Sequence, residues 1–448
     1  MTVSRSVRWC IFTQKATERE ERMGWRPIHL SKTGLACLGA LVMGGAVMVS
    51  TAQADELPPV FRTLAPIAVP SGAIAQEPSL ATDGNSLVMS WMETGNLATK
   101  VRVARHRDGA WSKPATVAIG KDLFVNWADF PTVTAFGESG LAVHWLRKVG
   151  RSSFDYNVEI ALSADGGETW SAPVIPHSDR SQAQHGFVAM SAAPDGMLDV
   201  LWLDGRAYGR VGLNPTPDAM QLRATRIAPD GSPGRDAVVD VQTCSCCQTS
   251  AARLDDGALV VAYRDRTDAE IRDISVVRQS AGLWADPVNV HADGWEISGC
   301  PVNGPAITAL GQRVAVAWFT AAEDIPAVNL SFSTDGAATF DTPLRIDTGE
   351  PLGRVDAALL ADGSALVTWL EWDGGDELLQ LCRAVPGQGC IARQTVARNG
   401  TAGSMNFPRM AVVGAEVFLA WTQPMPDDTS SIGLWAGMLR EPVLQWER

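Results

Sequence analysis

The chain has 448 residues, 46% of them hydrophobic, with 41 glycines, 26 prolines and a formal net charge of −13. That length supports a large core, and the glycine and proline content suits many short strands joined by turns. The acidic balance argues against nucleic acid and anionic membrane surfaces as partners.

Residues 34–49, GLACLGALVMGGAVMV, form an uncharged apolar run. Arg26 and Lys32 precede it and Ala52-Gln53-Ala54 follows, the layout of a secretory signal peptide. A membrane anchor is the alternative reading, but the run is shorter than the ~20 residues that span comfortably. Residues 1–54 are therefore expected to be a removable signal region, with Met23 as an alternative start. Residues 55–448 then form one monomeric domain, periplasmic or secreted, with no membrane span after cleavage. Six cysteines remain in it, and an even number in an exported chain points to disulfides.

Seven strands ending in an aromatic follow in order. SLVMSWME carries Trp91, LAVHWLR carries Trp145 and LDVLWLD carries Trp202. LVVAYRD carries Tyr263, VAVAWFT carries Trp318, ALVTWLE carries Trp369 and VFLAWTQ carries Trp421. Each alternates apolar and polar residues, and each follows a shorter strand and a Gly or Asp-Gly turn. Third and fourth strands recur in degenerate form, as in VEIALSADGGETW and PLRIDTG. The repeat predicts an all-β propeller of four-stranded blades, seven favoured and six the alternative. The last unit lacks a fourth strand, and LAPIAVPSG (64–72) is spare, so an N-terminal strand is expected to close the ring.

SADGGETWSAP (163–173) has the form Ser-x-Asp-x-Gly-x-Thr-Trp, and STDGAATFDTP (333–343) is a weaker copy. Asp165 and Asp335 can accept hydrogen bonds within their own turns, Gly167 tolerates positive φ, and Trp170 and Phe340 fall back on a core. With Ser163 and Ser333, these residues resemble the Asp box, or BNR repeat, of sialidase-like β-propellers. The resemblance implies a structural role for the motif at the outer end of a blade. Functional residues are then expected from the opposite loops, those leading into first strands and those after second strands.

Those loops hold four groups. Cys244, Cys246 and Cys247 lead into the fourth blade and Cys300 into the fifth. Disulfides are favoured: Cys300 with one cluster cysteine and the remaining two together. The alternative is a soft-metal site of Cys244, Cys246, Cys247, Cys300 and His185. Cys382 and Cys390 flank a turn and read as a local staple. The second group is YRDRTDAEIRD, where Arg264, Arg266 and Arg272 could grip a carboxylate, sulfate or phosphate. The third is a scatter of Asn126, Trp127, Asp204, Arg206, Trp295, Arg354, Trp372, Asn406 and Arg409, suited to sugar binding. The fourth is a carboxylate pool of Asp129, Asp265, Asp273, Asp356 and Glu371 for a glycoside hydrolase with a rearranged pair.

Sialidases grip the substrate carboxylate with three arginines and use a Tyr nucleophile, so the resemblance can be checked at those points. Gln76 stands where the first arginine belongs, and Tyr156, Tyr208 and Tyr263 are the only tyrosines, all early. The Cys-x-Cys-Cys segment with DGWEISGCPVNGPA (293–306) is similar to a bacterial exported subset of BNR-repeat proteins, which implies fold and export. The leading expectation is a propeller that binds a glycan or small anionic ligand near Arg264, Arg266, Arg272 and the cysteines, with no cofactor. A sialidase-type hydrolase and an envelope metal-handling protein are the alternatives.

Overall fold

The computed structural model describes residues 57–441, apart from residues 73, 138, 209–218 and 401–403. The proposed signal region lies outside the described residues. No helix among the described residues is long and apolar enough to cross a membrane.

Seven sheets follow one another along the chain, giving a seven-bladed propeller. In most blades each strand pairs antiparallel with the next, from the channel outward. Blade 1 begins with Ala75–Thr82, Leu87–Thr94 and Thr99–Arg107. Blade 3 is the most regular: His185–Ala192, Leu198–Asp204, Met220–Ile227 and Ala237–Thr243. Blade 2 has three full strands, and a single bridge between Ile160 and Val174 stands for its fourth.

The last sheet is closed by the N-terminus. Phe61–Pro66 pairs antiparallel with Ser430–Leu439, Phe61 opposite Leu439 and Pro66 opposite Trp435. The closing strand therefore starts three residues before the stretch read from the sequence and ends at Pro66. The ring of Phe61 lies so close over Gly437 that a β-carbon there would sit 2.7 Å from it. Small residues in the IGLWAGML strand thus admit the closing strand.

The core lies between blades. Ala142, Val158 and Ile160 of blade 2 pack on Val188, Met190 and Trp202 of blade 3. Val260 and Val276 of blade 4 pack in the same way on Val316 and Trp318 of blade 5. All seven repeated aromatics are buried, and every one has a polar partner. The indole N–H of Trp91 donates to Glu93 at 3.0 Å, that of Trp202 to Asp204 at 2.7 Å and that of Trp369 to Glu371 at 2.9 Å. Trp421 uses Gln423, whereas Trp145 reaches Glu159 on the next strand. Trp318 uses Asp293 of the preceding blade, and the Tyr263 hydroxyl donates to Asp240 at 2.6 Å.

Each pair satisfies a buried donor in an aromatic strand, and a buried donor without an acceptor costs about 1–3 kcal/mol. Trp369→Phe removes the donor and leaves Glu371 buried. It is expected to lower unfolding free energy by about 1–3 kcal/mol in urea titrations with an unchanged m-value.

The two Ser-x-Asp turns are near copies. The Ser163 hydroxyl donates to Asp165 at 2.8 Å and accepts from Gly167 N–H, while Asp165 accepts from Thr169 N–H and hydroxyl. Ser333, Asp335, Ala337 and Thr339 repeat this net. Position 167 has φ 100° and position 337 has φ 67°, so the second copy holds an alanine where glycine costs less. Gly166 N–H and Gly336 N–H bond to Ser139 and Gln312, in the first hairpin of the same blade. Both turns therefore lie on the hairpin face, opposite the loops that lead into first strands.

Candidate functional site

On that other face the chain makes an unusual backbone choice. Glu77, Phe187, Val302, Arg354 and Asn406, where blades 1, 3, 5, 6 and 7 begin, all have φ between 49° and 57°. A non-glycine residue in this region costs about 1 kcal/mol or more. Such strain persists only where the surroundings fix it.

Four of the kinks belong with one patch or its immediate support. The Trp127 ring is 38% exposed and stacks on Phe407, centroids 5.9 Å apart at 17°. The Arg354 guanidinium lies 4.6 Å from the Trp127 centroid and 5.7 Å from that of Phe407, and donates to the Asn406 carbonyl. The Asn406 amide donates to buried Glu77 at 2.8 Å. Phe130 joins Phe407 at 5.7 Å, and Arg409 lies 5.0 Å over Phe130. Asn126 shapes the loop by accepting from Ala128 N–H and Asp129 N–H.

Electrostatically the patch is tense. Burial pushes the Glu77 carboxyl well above the usual range, despite its bond from Asn406 and the Arg354 charge. Burial also lowers Arg354, with Glu377 and Glu77 opposing. The Arg409 Nε is buried with no hydrogen-bond partner among the described residues. Asp356, its carboxylate neighbour, is 4.0 Å away and accepts instead from Met410 N–H and Ala357 N–H. Burial raises Asp356 as well.

Behind the patch, Asp129 accepts from the Tyr156 hydroxyl at 2.9 Å and from Phe187 N–H at 2.7 Å. Burial outweighs both bonds and raises the carboxyl from 3.8 to about 7. Folded Asp129 thus binds its proton more tightly than unfolded Asp129. Its stabilising effect is complete below pH 4 and is lost as pH rises through 7. Asp129→Asn is expected to remove a downward slope worth up to about 4 kcal/mol between pH 4 and 8, seen by comparing melting-temperature profiles of both proteins. Parallel profiles would place that titration elsewhere.

The arginine run proposed as the grip is arranged differently. Arg264 is buried and donates to three carbonyls, Asn303 at 2.9 Å, Arg272 at 2.6 Å and Phe319 at 2.7 Å, with buried Trp295 4.8 Å from it. Its donors are turned into the protein, so the expected ligand contact gives way to a structural one. Arg266 and Arg272 share Glu270, at 2.5 and 2.6 Å. Arg206 is held by Asp204 at 2.7 Å and Asp236 at 2.9 Å.

The carboxylate pool is dispersed over several blades. Asp265 accepts from Ser275 and Arg266 N–H, and burial with the Asp240 charge raises it to about 6. Asp273 accepts from Gly294 and Trp295 N–H, and Glu371 from Trp369. Trp372 ends the second strand of blade 6, opposite Glu377.

Among the cysteines, Cys246 bonds to Cys300 and Cys382 to Cys390. Cys244 and Cys247 are buried thiols 3.0 Å apart, so the pairing expected between them is absent. A metal site of all four sulfurs loses the two that are bonded. His185 turns away from the sulfurs: its Nε2 lies 3.2 Å from Asp179 and 3.8 Å from Asp204, and it stacks on His177. Asp204 is already neutralised by Arg206.

The sequence reading named Asn126, Trp127, Asp129, Arg354, Asp356, Asn406 and Arg409, which the fold gathers. It missed Glu77, Phe130, Phe187 and Phe407. Glu77 adjoins Gln76, and its signal was a carboxylate leading directly into a first strand.

No protein-family model matches the chain, and no curated protein matches it. Solved structures match in fold. An ulvan lyase, a polysaccharide lyase bound to -[GlcA(1-4)Rha3S]-, superposes with TM-score 0.50 and 10% identity over 85% of this chain and 94% of that one. A Dyadobacter fermentans protein of unknown function gives 0.48 and 12% over 85% and 99%. NanB sialidase from Streptococcus pneumoniae gives 0.47 and 10% over 79% and 83%. At these identities the likeness shows the propeller architecture alone.

Proposed function

We propose that the protein binds an anionic saccharide at the channel mouth, the sugar ring lying on Trp127 and its carboxylate or sulfate meeting Arg409 and Arg354. The observation that carries this reading is the exposed Trp127 ring with the Arg354 guanidinium 4.6 Å from its centroid, on an aromatic cluster in which Phe130 lies under Arg409, whose Nε lacks a partner among the described residues. A flat exposed aromatic offers a face to the C–H surface of a sugar, and an under-satisfied guanidinium favours a bidentate anion. The strained backbone at Arg354 and Asn406 supports it, since strain collects where a ligand must be met by a preset geometry. Export fits the same reading, because two disulfides suit an oxidising compartment and residues 34–49 suit a signal peptide.

The test is calorimetric screening of uronic-acid and sulfated oligosaccharides, followed by variants. Trp127→Ala is expected to weaken the best ligand roughly 10- to 100-fold, as loss of one stacking anchor does. Arg409→Gln should weaken charged ligands more than their neutral analogues, with a fold-loss that shrinks in high salt. Unchanged affinity in both variants would refute the site.

A further inference from the structure

The cysteine cluster lies on the blade 4 side of the same face, and Cys244, Cys246 and Cys247 share one buried cluster with Phe130, Phe187 and Phe407 beneath the patch. Cys244-Ser-Cys246-Cys247 holds a C-x-x-C pair within it. Cys244 Sγ lies 3.0 Å from Cys247 Sγ and 3.8 Å from Cys246 Sγ, and Cys246 is bonded to Cys300. Cys244 and Cys247 are buried, whereas Cys300 is exposed. The four sulfurs thus form a chain of contacts from a buried dithiol to the surface. Arg272 approaches Cys244 Sγ at 3.5 Å, with its Nη1 as donor.

We infer that Cys244 and Cys247 are a redox-active dithiol, connected to solvent by exchange through the Cys246–Cys300 disulfide. In the first step the Cys244 thiolate attacks Cys246 Sγ. A Cys244–Cys246 bond forms, the Cys246–Cys300 bond breaks, and Cys300 leaves as a thiolate at the surface. In the second step Cys247 loses its proton and attacks Cys244 Sγ. The Cys244–Cys247 bond forms, and Cys246 leaves and takes up that proton. No electron has left the protein, because one disulfide has replaced another.

An external disulfide such as oxidised glutathione completes the cycle. Cys300 attacks it and releases one thiol, and Cys246 then attacks Cys300, restoring the Cys246–Cys300 bond and releasing the second. The sum is one dithiol oxidised and one external disulfide reduced to two thiols. The reverse sequence lets an external dithiol reduce the buried pair.

The environment suits the first nucleophile. Burial works against a Cys244 thiolate. Hydrogen bonds from the Cys247 thiol and Cys246 N–H, with the charges of Arg264 and Arg272, outweigh it and hold Cys244 below the ordinary thiol range. Burial and the neighbouring Cys244 push Cys247 up, so it keeps its proton until its turn. A thiolate near ambient pH is an effective attacking group in such exchange.

The test equilibrates the whole protein with reduced and oxidised glutathione, quenches with acid, alkylates and maps disulfides by mass spectrometry. The expected result is reversible uptake of two electrons per chain, with Cys244–Cys247 linked at the oxidising end and Cys246–Cys300 present at both ends. Cys300→Ser, folded by circular dichroism, should oxidise at Cys244–Cys247 at least about tenfold more slowly, since direct access is blocked by burial. Cys247→Ser stops the relay after one step, so dithionitrobenzoate should label Cys300 in the folded protein. The inference is overturned if no Cys244–Cys247 linkage forms at any glutathione ratio. It is equally overturned if Cys300→Ser oxidises as fast as the wild type, or if folded Cys247→Ser carries no label on Cys300.

Discussion

Replacing Arg264 with methionine is expected to destabilise the protein by about 3–5 kcal/mol while leaving saccharide affinity unchanged in the folded fraction. Methionine keeps an unbranched stem beside Trp295 but has no donors. The carbonyls of Asn303, Arg272 and Phe319 would then lose their shared partner in a dry site. These three carbonyls come from the loop leading into blade 5, the long loop of blade 4 and the second strand of blade 5. One cation therefore ties two blades together. Chemical unfolding of Arg264→Met against wild type measures the loss. A variant of normal stability that no longer binds the ligand would reverse the assignment and return Arg264 to the binding surface.

Phe61→Ala is expected to cost about 3–5 kcal/mol, the range for truncating a buried aromatic. Phe61 is buried, pairs with Leu439 and covers Gly437, so its ring fastens the closing strand to the last blade. Its loss frees Phe61–Pro66 to detach and uncovers the edge of Ser430–Leu439. Two readouts separate this from ordinary core truncation. Backbone amides of residues 430–439 should exchange faster than those of blades 3 and 4, and self-association should appear in sedimentation as an edge strand becomes available. Uniform acceleration in all blades would mean that the ring does not open at this seam.

The architecture was legible because its signal repeats. An aromatic at the end of an alternating strand recurs seven times, and a blade needs that bulky residue where neighbouring sheets pack. The closing strand was legible for a related reason: the last unit lacked a strand and the N-terminus had one to spare. Its limits were not, because pairing is decided by contacts such as Phe61 on Gly437 that no local pattern marks. The acceptors were only half visible. Glu93, Asp204, Glu371 and Gln423 follow their tryptophans by two residues, but Glu159 and Asp293 are brought to theirs by the fold.

The site was legible by position and not by orientation. Loops leading into first strands gather at one mouth in any propeller, so Trp127, Arg354 and Arg409 could be named. Arg264 ends a strand that is buried on both faces, where alternation no longer tells an outward side chain from an inward one. A cation there turns to carbonyls because burial demands it. Phe130 and Phe407 read as ordinary core residues, and only their stacking beneath Trp127 and Arg409 shows that they support the mouth.

We place the ligand at the mouth lined by Trp127, Arg354 and Arg409. A crystal structure with the tightest saccharide from the screen tests it most directly. The expected result is a sugar ring against Trp127 with its anionic group within about 3 Å of an Arg409 or Arg354 nitrogen. A saccharide bound instead in the cleft between blades 2 and 3, against Phe154, Arg206 and Tyr208, would contradict it.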